Sequence, residues 1–147
     1  MSRLTIYLGK LIGLFLFSAA VAIFLDRDSV VEMATALIDD RALLLIVGLL
    51  SLGIGLAIVV GHNVWSAGLF PLVITLFGWS QVLRGLLLLL LPAETQIAFF
   101  QAMRLEDFFY MYAGIPLVLG AYLAYAGFSA QYRYASDLKG PERGTPI

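Results

Sequence analysis

The chain has 147 residues, 61% of them apolar and only 13% charged, and its mean hydropathy is +0.94. That balance excludes an ordinary soluble domain and marks a small integral membrane protein. Nine Lys and Arg against ten Asp and Glu leave no basic surplus for nucleic acid, and no Cys with a single His excludes disulfides, thiolate metal sites, iron–sulfur clusters and a bis-histidine haem within one chain.

Arg3 precedes an apolar run, residues 4–25, that only Lys10 interrupts. A span needs roughly 20 apolar residues, so this is a first membrane helix. A secretory signal peptide would share the basic start, but the run is long and has no small-x-small exit before Asp26. From Asp26 to Arg41, charges alternate with Val30, Val31, Met33, Ala34, Leu37 and Ile38. That spacing, with Asp28-Ser29 as N-cap, predicts an interfacial amphipathic helix over 28–39. Residues 42–60 form a second, uncharged span, in which Gly53, Ala57 and Gly61 stand four apart and present a small-residue face for helix packing.

A polar break follows over 61–68, Gly-His-Asn-Val-Trp-Ser-Ala-Gly. Here Gly61 is expected to supply a left-handed helix cap and Asn63 a turn. The third span, 69–91, holds Pro71 in its first turn and carries Thr75, Gln81 and Arg84 before Pro92 stops it. Glu94-Thr95 opens a second amphipathic helix over 94–106, with Ile97, Phe100, Met103 and, just beyond it, Phe108 as its approximate apolar face. The fourth span, 108–130, carries Pro116, expected to bend it, and tyrosines toward both ends in the manner of aromatic belts. Its small residues Gly114, Gly120 and Ala124 are further packing candidates. The tail, 131–147, is polar and interrupted by Gly and Pro, and is expected to fray.

Two halves overlay at an offset of 66 residues, bringing Asp28-Ser29 onto Glu94-Thr95, Gly48 onto Gly114 and Gly61 onto Gly127. Each unit reads span, interfacial helix, span, so two copies share one orientation. The fold class expected is all-α: a four-helix transmembrane bundle with this repeat. Arg3, Lys10, Arg133, Lys139 and Arg143 flank the ends, against Arg27, Arg41 and Arg104 in the two longer loops, where eight acids also lie. The positive-inside rule then places both termini and the 61–68 turn in the cytoplasm.

Arg84 lies seven residues before Leu91, about 10 Å from that end of its span. A charge there is costly, and the readings are a snorkelling or paired structural arginine, an anion or lipid-headgroup site, or a gate. Gln81 shares its face, Gly85 is expected to leave room beside it, and Asp107 or Glu106 to reach it as counter-ion. His62 and Asn63 are ligand or ion candidates against the plainer reading of a hairpin, since one imidazole without other ligands makes no metal site.

The strings Gly61-His62-Asn63-Val64-Trp65 and Thr75-Leu76-Phe77-Gly78-Trp79, with Arg84-Gly85 and the leucine run into Pro92, resemble a group of uncharacterised bacterial four-span membrane proteins. In outline the layout is also similar to the DoxX-like and HdeD-like small membrane proteins. The resemblance implies a bacterial inner-membrane setting and no reaction. No triad, HExxH, phosphate loop or intramembrane carboxylate pair is present in the sequence. The expectation is therefore a non-catalytic accessory or scaffold subunit without cofactor, partnered by membrane lipid and by its own copies or a membrane complex through glycine faces. The alternative is a small oligomeric transporter or channel lined by Arg84, Gln81 and Thr75.

Overall fold

The structure, a computed structural model, describes residues 2–66, 68–102, 104 and 107–139. These fold into six helices: α1 (Arg3–Leu25), α2 (Arg27–Asp39), α3 (Arg41–Gly61), α4 (Leu69–Leu90), α5 (Ala93–Ala102) and α6 (Phe109–Lys139). Helices α1, α3, α4 and the Phe109–Tyr134 part of α6 are long and apolar enough to cross a membrane. The all-helical class and the multi-pass membrane character follow.

The ends of the helices are written in short polar residues. The Ser2 hydroxyl accepts from the Thr5 amide at 3.1 Å and opens α1. Asp40 opens α3 by accepting from the amides of Ala42 and Leu43 at 2.8 and 3.1 Å. Asp26, not Asp28-Ser29, caps α2: its carboxylate accepts from the Ser29 amide at 3.2 Å, and Asp28 falls in the first turn, where the helix dipole favours a negative charge. On α2, Val30, Val31, Ala34, Leu37 and Ile38 are half-buried while Met33 is exposed, so a one-sided helix lies over the ends of the long ones.

Two expected boundaries move. Helix α5 ends at Ala102 rather than 106, and Met103 and Glu106 lie outside the described residues. Helix α6 runs unbroken through Pro116 and on to Lys139, so the first nine residues of the expected frayed tail are helical. The reason is local: residues 131–139 contain neither Gly nor Pro, and the breakers of the tail begin at Gly140-Pro141.

The long helices pack as two antiparallel pairs, α1 with α6 and α3 with α4, and the pairs meet where α1 touches α4. Within α3 the buried residues are Leu44, Gly48, Ser51, Gly55 and Ile58, spaced by alternating fours and threes. Phe109, Ala113, Gly120, Leu123, Gly127 and Ala130 continue the same rhythm on α6. This is the 3.5-residue repeat that keeps one seam facing a neighbour. In lipid no hydrophobic force drives helices together, so close backbone approach must do so, and small residues permit it. A Cβ on Gly55 would stand 2.5 Å from the Val82 nitrogen, one on Gly85 2.6 Å from the Leu52 nitrogen, and one on Gly120 2.5 Å from the Phe17 nitrogen. The pairs join around Ile12, Ile58, Phe70, Ile74 and Leu123, a buried apolar cluster in the half of the molecule nearer the 61–68 turn.

The two ends differ in charge. Asp26, Asp28, Glu32, Asp39, Asp40, Glu94 and Asp107 all belong to the α2 and α5 end. At the turn end, Arg3 donates from Nε to the Tyr134 hydroxyl at 3.3 Å, and the Lys10 ammonium sits 4.7 Å from the centre of the Phe128 ring. Asp137, in the last turns of α6, belongs to the same end.

Candidate functional site

Polar groups gather first where the turn folds onto α4. Thr75 is wholly buried, and its hydroxyl accepts from the Val64 amide at 3.1 Å. Its single proton has three carbonyls in reach: Val64 at 3.0 Å, Pro71 at 3.1 Å and His62 at 3.5 Å. One side chain thereby satisfies backbone groups that the turn would otherwise leave stranded. Thr75 therefore clasps the turn and does not line a permeation route.

His62 stands beside that clasp. It is 3% exposed, and its amide donates to the Ile58 carbonyl at 2.6 Å, closing α3. Its ring Nε2 is buried with no hydrogen-bond partner. The left-handed residue of the turn is Gly68, at φ 104°, not Gly61, which remains helical. A glycine is needed at the later position because the chain reverses immediately before α4. Asn63 is exposed, and its side-chain oxygen accepts from the Trp65 indole at 2.7 Å, so the pair braces the turn's outer face.

Arg84 and Gln81 lie two turns deeper into α4, Arg84 exposed and Gln81 half-buried. Gly85 makes no room for Arg84: it points into the α3 seam, filled by Leu52 and Gly48. At about 100° per residue, Gln81 and Arg84 instead continue the α4 stripe of Phe70, Phe77 and Leu88. Asp107 is not the counter-ion, since it pairs with Arg104 at 2.5 Å, both side chains exposed. Glu106 lies outside the described residues.

The packing candidates divide. Gly120 and Ala124 are in the α1 seam, Ala124 against Gly13. Gly53 and Gly114 would meet nothing within 4 Å, Gly61 meets only Leu4 at 3.9 Å, and Ala57 is exposed. The internal seam of α3 instead uses Gly48 and Gly55, because a repeat of alternating fours and threes, unlike a strict four, stays on one side of the helix.

One buried polar residue was not singled out by spacing. Gln96 on α5 is 7% exposed and donates from Nε2 to the carbonyls of Leu88 and Leu91, each at 2.9 Å, capping the end of α4. Its Oε1 is buried without a partner. The signal for it is a lone amide one turn beyond the Pro92 stop.

Helices α4 and α6 both rest on α1 and leave a cleft between them. Two recesses follow it, one of about 640 Å³ near the turn end and one of about 260 Å³ farther in. Among the described residues, no three His, Asp or Glu side chains gather as a metal ion would require. Comparison with protein-family models, curated proteins and solved structures finds no match.

Proposed function

We propose that the chain is a non-catalytic accessory or scaffold subunit of the bacterial inner membrane, associating with its own copies or a larger complex through the free flank of α3. The observation that carries this is the division of small residues on that helix. Gly48 and Gly55 are consumed by the α4 seam, whereas Gly53 and Ala57 form a second small-residue stripe that none of the described residues fills. Small residues on a lipid-facing flank allow another helix to approach closely, and in lipid that approach supplies the association energy. With the basic end cytoplasmic, both termini and the turn lie inside and α2 and α5 outside.

The pairing also supports duplication: exchanging α1 with α4 and α3 with α6 turns one pair into the other. The aligned glycines are not equivalent, however, as Gly48 is in a seam and Gly114 is not.

The absence of Cys makes the test direct. Ala57→Cys should cross-link in native membranes, to itself or to one discrete partner, and Gly53→Leu should abolish the product while helicity is kept. A chain that stays monomeric in membranes and yields no cross-link along α3 overturns the proposal. A second reading, a small transporter, rests on exposed Arg84 in a span and has lost Thr75. It requires an ion or solute flux in liposomes that Arg84→Gln abolishes with assembly intact.

A further inference from the structure

Arg84 has no role in the packing of the helices. It is exposed, and among the described residues it makes no hydrogen bond, ion pair or ring contact. Its surroundings are specific, however. The recess of about 260 Å³ is lined by Val73, Phe77 and Ser80 of α4, by Leu119 and Leu123 of α6 and by Leu16 of α1. At about 100° per residue Arg84, one turn beyond Ser80, stays on this cleft side of α4, away from the α3 seam that Gly78 and Gly85 enter. From Arg84 to Val73 the α4 wall measures about 16 Å, close to the ~15 Å of one leaflet's hydrocarbon. A cation thus stands at the head of an apolar groove about as long as an acyl chain.

From this geometry we infer that the Arg84 end of the α4/α6 cleft binds one zwitterionic phospholipid, drawn from the leaflet at the α2 and α5 end. Its phosphodiester meets the Arg84 guanidinium, which reaches outward from about 10 Å below Leu91 and offers paired donors in the geometry a phosphate accepts. One acyl chain descends past Ser80 and ends between Phe77 and Leu119. An arginine at the centre of a span costs ~2.5–3.5 kcal/mol, and a phosphate offsets part of such a cost where no described carboxylate does. The occupant is a lipid rather than a helix, because both walls carry large side chains here and close helix approach needs small ones. The headgroup follows from the surrounding charge. The acids described at this end outnumber Arg27, Arg41 and Arg104, which favours an ammonium beside the phosphate over a net-negative headgroup. The inference does not depend on association through α3, and it is read by lipid retention rather than by flux.

The test is retention of phospholipid by the detergent-purified full chain, measured by native mass spectrometry after exchange into equal phosphatidylethanolamine and phosphatidylglycerol. Wild type should hold one phosphatidylethanolamine in about fivefold preference. Arg84→Gln should cut that retention about tenfold. Ser80→Phe, which fills the groove below the guanidinium, should cut it about as much with helicity unchanged. Arg41→Gln removes an equal charge at the same end, outside the cleft, and should change retention less than about twofold. Excess glycerol phosphate should not displace the lipid, because it lacks the chain. Equal retention of both lipids, an Arg41→Gln loss matching that of Arg84→Gln, displacement by glycerol phosphate, a fatty acid retained in place of phospholipid, or no effect of either cleft variant overturns the inference.

Discussion

Thr75 shows how one side chain can hold a whole turn together. Its hydroxyl serves both the Val64 amide and the carbonyls around it, so Thr75→Val keeps the shape and strands the backbone. The cost expected is about 1–3 kcal/mol for an unsatisfied buried donor. It should be read as a lower unfolding midpoint and faster hydrogen exchange at Val64, with Thr75→Ser restoring protection. Gln96 does comparable work at the other end, where its amide holds two α4 carbonyls. Gln96→Leu should release α5 to exchange while leaving the α3/α4 pair protected. Neither role was legible in the sequence. Thr75 reads as one more polar residue in a span until the fold brings Val64, 11 positions away, against it.

At the scale of the helices, spacing predicted existence better than it predicted faces. Four apolar runs and two amphipathic segments all became helices, because runs bounded by Asp26, Asp40, Gly68 and Pro92 carry their own start and stop chemistry. On α3 the internal seam uses Gly48, Gly55 and Ile58, a face distinct from the one that the spacing of Gly53, Ala57 and Gly61 presents. Both stripes are small, and only the partner helix distinguishes them. The consequence is a paired prediction. Gly85→Leu should destabilise the α3/α4 pair by about 1–3 kcal/mol or more, since its Cβ would meet the Leu52 nitrogen at 2.6 Å. Gly53→Leu should leave the monomer's unfolding in detergent unchanged. Equal effects of the two would mean that the seam is elsewhere.

For the molecule as a whole, the multi-pass character was legible in composition, whereas the arrangement of two pairs joined along α1 and α4 was not, since hydropathy says nothing of neighbours. Orientation is tested with single cysteines in the cysteine-free chain. Asp28→Cys and Glu94→Cys should react with a membrane-impermeant maleimide from the outside, and Ser66→Cys only after permeabilisation. The Arg84 site was half legible: its depth followed from counting to Leu91, but its expected partner did not, because Asp107 pairs with Arg104, three residues before it in the α5–α6 connection. Length now separates the helices. At 31 residues α6 measures about 46 Å, against about 32 Å for the 21 residues of α3, and the hydrocarbon is only ~30 Å thick. The excess has to be absorbed by tilt or by emergence from the bilayer. Phe109 and Tyr110 pack near Arg27 at the acidic end and Tyr134 is tethered to Arg3 at the other, so the surplus leaves at the C-terminal side. The five residues of α6 beyond Tyr134 then carry its helix past the candidate span.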